Sequence, residues 1–325
     1  MKTFVMLDSH TLAADFHQEK EILAKNGHAC VLGECKTVDE AVALAADAEA
    51  IGVCYFKVTA ELLDRLPKLK VVIRYGIGYD VVDVDACTRR GVMLCNLPTF
   101  CIIDVATHAM ALFLDMCRKL TMYDREARKG SWDVGYGYRI HRLEKMTLGL
   151  IGFGNTARLF AKFVKNFGIE ILSYDPVVDA GTFKEHGVEK VELDELFARC
   201  DALSVHVPFI PSTRHLINRE SIAKMKDGVM IINTARGPII NLDDLVAALK
   251  SGKVAAAGLD VFEGEPVTDL SHPMYQCDNL IITPHVAYNS SEAEDDQHTQ
   301  VAETAVRVFA GEMPANTVNR RDLQK

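Results

Sequence analysis

The chain reads as an α/β protein made of two doubly wound parallel-sheet domains, and three observations predict this. At 325 residues it is longer than a single hydrophobic core usually grows. Short apolar strands alternate with helical spacing along it, the signature of helices covering both faces of a parallel sheet. A strand, a Gly-x-Gly-x-x-Ala turn and a helix then fall near the middle, at Leu148 to Ala157, so a complete domain must precede them.

In the first hundred residues Thr3–Leu7, Ala29–Leu32, Ala50–Tyr55, Val71–Arg74 and Val92–Cys95 are apolar enough to be buried strands. Val38–Ala46, Ala60–Leu66 and Asp83–Arg90 carry helical spacing between them. These define a first domain over residues 1–98. A long segment, Ile102 to Thr121, is apolar nearly all round, which predicts one linking helix buried on more than one side and points to a homodimer formed through residues 102–121. A second sheet domain, 99–289, follows. Its strands are predicted at Met146–Ile151, Ile169–Tyr174, 202–206, 229–233, 255–259 and 279–282, with helices at Thr156–Phe167, Glu220–Met225 and Leu242–Lys250. The last helix, Ser291–Phe309, is expected to return to the first domain, which residues 290–325 complete.

The central turn has the chemistry of a dinucleotide pocket. Gly152 permits the tight turn, Gly154 lets backbone approach a pyrophosphate, and Ala157 lets the helix pack closely on the sheet. The anion then rests on N–H groups of the helix start, where Asn155 and Thr156 stand. Asp175 ends the next strand 18 residues beyond Ala157, close to the spacing of the carboxylate that holds an adenosine ribose. A carboxylate there repels a 2′-phosphate, and no Arg or Lys follows until Lys184, so NAD is expected over NADP.

Composition narrows the partners. A net charge of −9 with no basic cluster disfavours nucleic acid and anionic membrane, and no apolar run approaches a membrane span. Nine cysteines stand singly with no Cys-x-x-Cys pair, as expected of reduced thiols in a cytoplasmic enzyme. Met1 to Leu7 lacks the apolar core of a signal peptide. The histidines show no metal-ligand spacing, so no metal is expected, and His108 in the apolar helix is expected to be a hydrogen-bonded core or interface residue.

Three later strand ends offer reactive groups. Asn233-Thr234-Ala235-Arg236-Gly237 places a guanidinium where it can clamp a carboxylate and polarise a carbonyl. Gly258-Leu-Asp260-Val-Phe-Glu-Gly-Glu265-Pro266 and Thr283-Pro-His285-Val-Ala287 add a carboxylate and an imidazole. Hydride transfer to a carbonyl leaves an alkoxide, which needs a proton donor and a cation. A histidine oriented by a carboxylate suits the first task and an arginine the second. Spacing alone leaves open whether Glu265 and His285 touch.

Together these segments resemble the D-2-hydroxyacid dehydrogenases over essentially the whole length. The resemblance implies a flavodoxin-like substrate domain, a Rossmann NAD domain, and an active site in the cleft between them. Arg236 would bind a 2-oxo acid, Glu265 would pair with the histidine, and His285 would be the general acid in reduction and the base in oxidation. Arg74-Tyr75-Gly76-Ile77-Gly78 is similar to the family's substrate loop, whose backbone N–H groups hold the substrate carboxylate. Thr234, Ala235, Arg236, His285 and Ala287 would bind the cofactor, with Asp260 near its nicotinamide amide and the His206, Val207 and Pro208 loop beside it. Asn155 and Thr156 depart from the family's usual Arg or Lys and apolar residue. Arg74 could add a cation for a second anionic group or could be structural. Glyoxylate, hydroxypyruvate, lactate-type acids and 3-phosphoglycerate all fit the resemblance; the chain's end at 325 favours a simple reductase over a phosphoglycerate dehydrogenase with a regulatory domain. Glu265 disfavours a formate dehydrogenase, which carries Gln there. An NAD-sensing corepressor of the same fold is the alternative, since such relatives keep the Arg, Glu and His.

Overall fold

The computed structural model describes residues 1–12 and 15–324. Two compact units divide the chain, Met1–Phe100 with Ser290–Lys325, and Cys101–Asn289.

In the first unit the strands are β1 (Thr3–Met6), β2 (Ala29–Leu32), β3 (Ala50–Val53), β4 (Val71–Arg74) and β5 (Met93–Cys95), and the helices α1 (His17–Lys25), α2 (Val38–Ala45), α3 (Ala60–Asp64) and α4 (Val84–Arg89). All pairings are parallel, in the order β2-β1-β3-β4-β5. This is the flavodoxin-like order, produced when crossovers place helices on both faces. Thr37 caps α2 in a capping box with Glu40, and Thr59 and Asp83 cap α3 and α4, which is why these short helices begin where they do. Val5, Ile51, Val53, Val72 and Leu94 fill the core between sheet and helices.

The second unit opens with two helices in place of the single one predicted. Helix α5 (Ile102–Arg118) stops at Lys119, whose φ of 55° is left-handed, and α6 (Leu120–Arg128) starts in a new direction. The break is side-chain driven. Asp115 accepts from the backbone and hydroxyl of Thr121, while buried Lys119 donates to Tyr136 O and lies over the Tyr123 and Tyr138 rings. Among the described residues α5 is buried along one face, through Ala106, Ala109, Leu112, Phe113 and Met116, in place of the all-round burial expected of it, and Ile103 remains 59% exposed.

Strands β6 (Thr147–Ile151), β7 (Glu170–Tyr174), β8 (Glu189–Lys190), β9 (Ala202–Val205), β10 (Val229–Asn233), β11 (Val254–Leu259) and β12 (Leu280–Ile282) form a parallel sheet ordered β12-β11-β10-β9-β6-β7-β8. Helices α7 (Asn155–Lys165), α8 (Ala180–His186), α9 (Leu193–Arg199), α10 (Arg219–Lys224) and α11 (Leu242–Ser251) connect them. The order reverses between β6 and β9, and a doubly wound sheet opens its ligand crevice at that switch point. The chain then returns to the first unit as α12 (Ser291–Phe309), which packs on α1 and β4, and ends with the short α13 (Arg320–Leu323). Among the described residues no helix is long and apolar enough to cross a membrane.

Candidate active site and dinucleotide pocket

Every predicted site residue of the second unit follows the C-terminal end of a strand. Gly152 leaves β6 with φ +92°, and a Cβ there would lie 2.9 Å from His206 O, so only glycine lets the β6 and β9 ends come together. A Cβ on Gly154 would meet nothing within 4 Å, which leaves open space before the N-terminus of α7. Asn155 and Thr156 form the first turn of that helix. Thr234, just past β10, has a buried hydroxyl with no hydrogen-bond partner among the described residues, a polar group available to a ligand. A dinucleotide fits this set: a glycine turn, helix N–H groups, open space and an uncommitted buried hydroxyl.

Asp175 follows β7 and also braces the turn. Its Oδ2 accepts from Phe153 N at 2.8 Å and its Oδ1 from Val177 N and Val178 N. Partial burial raises its pKa, but these three N–H groups and the Lys190 charge outweigh that and hold the carboxyl below its ordinary value. Oδ2 accepts the one hydrogen bond from Phe153 N and has a lone pair left for a further donor. Two cations were missed in the linear reading. Lys190 comes to Asp175 from the neighbouring strand β8. Arg158 reaches back one helical turn to Asn155 Oδ1 at 3.0 Å and to Gly154 O, so a guanidinium stands at the position where Asn155 replaces one. An Arg at i+3 from the turn was the available signal. His206 follows β9, its Nε2 2.9 Å from Ser204 Oγ; packing round the ring disfavours charge and pushes it down to about 4, so it is neutral. Val207 and Pro208 continue the loop.

The ends of β10, β11 and β12, adjacent in the sheet, carry the reactive groups. His285 Nδ1 lies 2.6 Å from Glu265 Oε2, which accepts its N–H and leaves Nε2 to exchange a proton. Burial pushes the Glu265 carboxyl up; the His285 contact, the Phe262 N–H and the Arg236 charge pull it down further, and it sits below its ordinary value. Arg236 is brought there by backbone. A Cβ on Gly237 would lie 1.9 Å from Phe262 C and 2.4 Å from Glu263 N, so the loop carrying Arg236 rests directly on the loop carrying Glu265. Buried Asn233 shapes the first of these loops, donating to Arg236 O and accepting from Ala235 N.

Asp260 performs the matching task for His285. Fully buried, it accepts at Oδ1 from the Thr283 hydroxyl and Val286 N and at Oδ2 from Ala287 N, while its carbonyl accepts from His285 N. This grip holds His285 at a left-handed φ of 55°, a conformation an L-residue keeps only when its surroundings impose it. His108 on α5 meets Thr283 Oγ1 at 3.0 Å, so it is hydrogen-bonded beneath the same loop. Among the described residues no group of three His, Cys, Asp or Glu could hold a metal.

In the first unit, Arg74 to Gly78 leave β4. The reading of Tyr75 as a substrate contact needs correcting: its side chain is 1% exposed and points into the core, because its hydroxyl donates to buried Glu19. Its N–H donates to Val53 O and that of Gly76 to Arg74 O, so the loop donors for a carboxylate reduce to Ile77 and Gly78. The Arg74 guanidinium lies across Gly76, where a Cβ would sit 1.5 Å from one of its nitrogens.

Residues 110–287 match the model of the D-isomer specific 2-hydroxyacid dehydrogenase NAD binding domain. The D-3-phosphoglycerate dehydrogenase of Mycobacterium tuberculosis is 40% identical over 262 residues, 81% of this chain and 49% of the relative, so the chain spans about half the length of such relatives. The hydroxypyruvate reductase of Thermotoga maritima is 44% identical over 239 residues, 73% of this chain and 77% of the relative. Among solved structures, the D-lactate dehydrogenase of Aquifex aeolicus, complexed with NAD and lactic acid, superposes with a TM-score of 0.87 at 29% identity, covering 98% of this chain and 99% of that one. With the glycine turn, Asp175 and the paired Glu265 and His285 already in place, these matches establish that the chain belongs to the D-isomer specific 2-hydroxyacid dehydrogenase family and contains its NAD binding domain.

Proposed function

We propose that this protein catalyses the NAD-dependent interconversion of a 2-oxo acid and a D-2-hydroxy acid. One observation carries the reading: at the ends of three adjacent strands, a histidine is paired with an ionised glutamate at 2.6 Å and the charge of an arginine reaches the same carboxylate. NADH, when bound, supplies the hydride. His285 gives the proton from Nε2 to the carbonyl oxygen and takes it back in oxidation. Glu265 holds the ring by Nδ1 and so directs Nε2 to the substrate. Arg236 binds the substrate carboxylate and steadies charge on the oxygen. Ile77, Gly78 and Arg74 are assigned to the same carboxylate or to a second anionic group, on the strength of the resemblance. Asp175, Thr234 and the α7 N-terminus with Arg158 are assigned to the dinucleotide.

The test is NADH oxidation by pure protein against glyoxylate, hydroxypyruvate, pyruvate and 3-phosphohydroxypyruvate. Turnover of at least one is expected. Tight NADH binding with turnover of none would move the protein to the sensor class.

We also propose a cytoplasmic homodimer through the 102–121 region. Its support is the outer face of α5, where Ile103, Thr107 and Ala111 are exposed beside half-buried Met110 and Leu114, together with Leu120 at 60% exposure. Sedimentation should give twice the chain mass, and Ile103→Asp should lower it towards the monomer.

A further inference from the structure

Beneath the β4 loop of the first unit lies a polar cluster that the proposed chemistry does not use. Tyr75 Oη donates to Glu19 Oε1 at 2.7 Å, and His298 Nδ1 meets the same oxygen at 2.5 Å. The three side chains come from the β4 loop, α1 and α12, and are 1%, 0% and 2% exposed. Phe16 packs edge-on against both the Tyr75 and His298 rings, so the cluster sits in an apolar pocket. Burying a carboxylate, an imidazole and a phenol there is costly, and apolar residues of the same size would pack the site more cheaply. What the polar cluster adds is direction. A single oxygen, Glu19 Oε1, holds both partners, while Oε2 has no hydrogen-bond partner among the described residues.

The consequence falls on the residue after β4. With its N–H on Val53 O and its hydroxyl on Glu19, Tyr75 is drawn inward. The chain must then turn outward at Gly76, whose φ is +145°. From the other side, Leu97 N donates to Gly76 O and Asn96 Nδ2 to Ile77 O. The Ile77 and Gly78 amides thus hang between two anchors, one of them the buried cluster.

We propose that Glu19 and His298 are positioning residues for the 2-oxo acid: through Tyr75 they fix the direction of the Ile77 and Gly78 N–H groups. The inference rests on the dehydrogenase reading and assigns a further task to the core of the first unit. It is tested in the full chain with Tyr75→Phe, which removes one oxygen and keeps the ring, and with Glu19→Gln; should the second fail to fold, the first suffices. Three quantities are read: hydrogen exchange of the peptide containing residues 76–78, KM for the 2-oxo acid, and Kd for NADH by fluorescence. Loss of this buried hydrogen bond should raise both loop exchange and substrate KM by about tenfold. Kcat and NADH Kd should stay near wild type. Unchanged loop exchange and KM in Tyr75→Phe, with only a lower Tm, would reduce the cluster to core filling and overturn the inference alone. A wild type that turns over no 2-oxo acid would overturn the dehydrogenase reading and the substrate role together, whatever the exchange shows.

Discussion

Glu265 is pulled in two directions, and the balance has consequences that pH can expose. Burial disfavours its charge, yet His285, the Phe262 N–H and Arg236 hold it ionised. A carboxyl whose folded pKa is lowered contributes stability above its unfolded pKa and loses that contribution as pH falls through the folded one, so this pair weakens only in acid. At neutral pH the charge is present and orients the His285 ring through Nδ1. Glu265→Gln keeps the shape and removes the charge. kcat/KM should fall in both directions, and the acid limb set by Glu265, whose carboxyl sits below its ordinary value, should disappear. Profiles in both directions decide it, and an unchanged acid limb would mean the contact has no catalytic role. At Arg236 the expected change is larger. Lys cannot reproduce a two-point grip, so Arg236→Lys should lower kcat/KM by roughly 10²–10³. Asp175→Ala should narrow the preference for NADH over NADPH. Efficient use of NADPH by the wild type would show instead that Lys190, which the fold brings beside Asp175, governs the choice.

The elements show how backbone contacts place these side chains. Gly237→Ala forces a methyl into the Phe262–Glu263 backbone, and a rigid chain cannot yield as a side-chain tip would. The two loops must separate, so the variant should lose most activity while circular dichroism stays close to wild type. Wild-type kinetics would mean that the contact does not position Arg236. Asp260 gives a second case. All three groups at its carboxylate are donors there, two of them backbone N–H groups that cannot reverse, so the amide of Asp260→Asn would oppose one of them. A buried hydrogen bond to a charged group contributes about 1.5–3 kcal/mol, and its loss should free His285 from its left-handed conformation. A drop in kcat with little change in NADH Kd is the expected pattern.

At the scale of the molecule, the continuous unit and the interrupted one should behave differently. Residues 101–289 contain a whole sheet and its covering helices, so this fragment should fold and bind NADH, and saturation at about 100 times Kd should stabilise it by about 2.7 kcal/mol. Residues 1–100 alone lack α12, whose Val301, Ala302, Ala305, Val308 and Phe309 are buried, and they lose the Leu94 pairings with Val318 and Asn319. That fragment should stay largely unfolded until 290–325 is joined to it. A cooperative transition in 1–100 by itself would contradict this.

Much of the architecture was legible in one dimension because its signals are local. Strand alternation, the helical spacing of apolar residues and the Gly152 and Gly154 turn depend on neighbours a few residues away, and a parallel sheet forces the strand ends, and hence Asp175, Arg236, Glu265 and His285, to one edge. What spacing left open was contact. Glu265 and His285 are 20 residues apart, and their pairing depends on Gly237 lying against backbone and on Asp260 gripping the 283–287 loop. The helix break at Lys119, the approach of Lys190 to Asp175 and the inward turn of Tyr75 were likewise decided by partners elsewhere in the chain, since each depends on a charge or hydrogen bond that exists only after the elements have packed. The sequence by itself determined two sheets, a dinucleotide turn and the kinds of side chain at the strand ends; only the tertiary structure decided which of those groups meet, because hydrogen-bond direction and close backbone approach have no expression in sequence spacing.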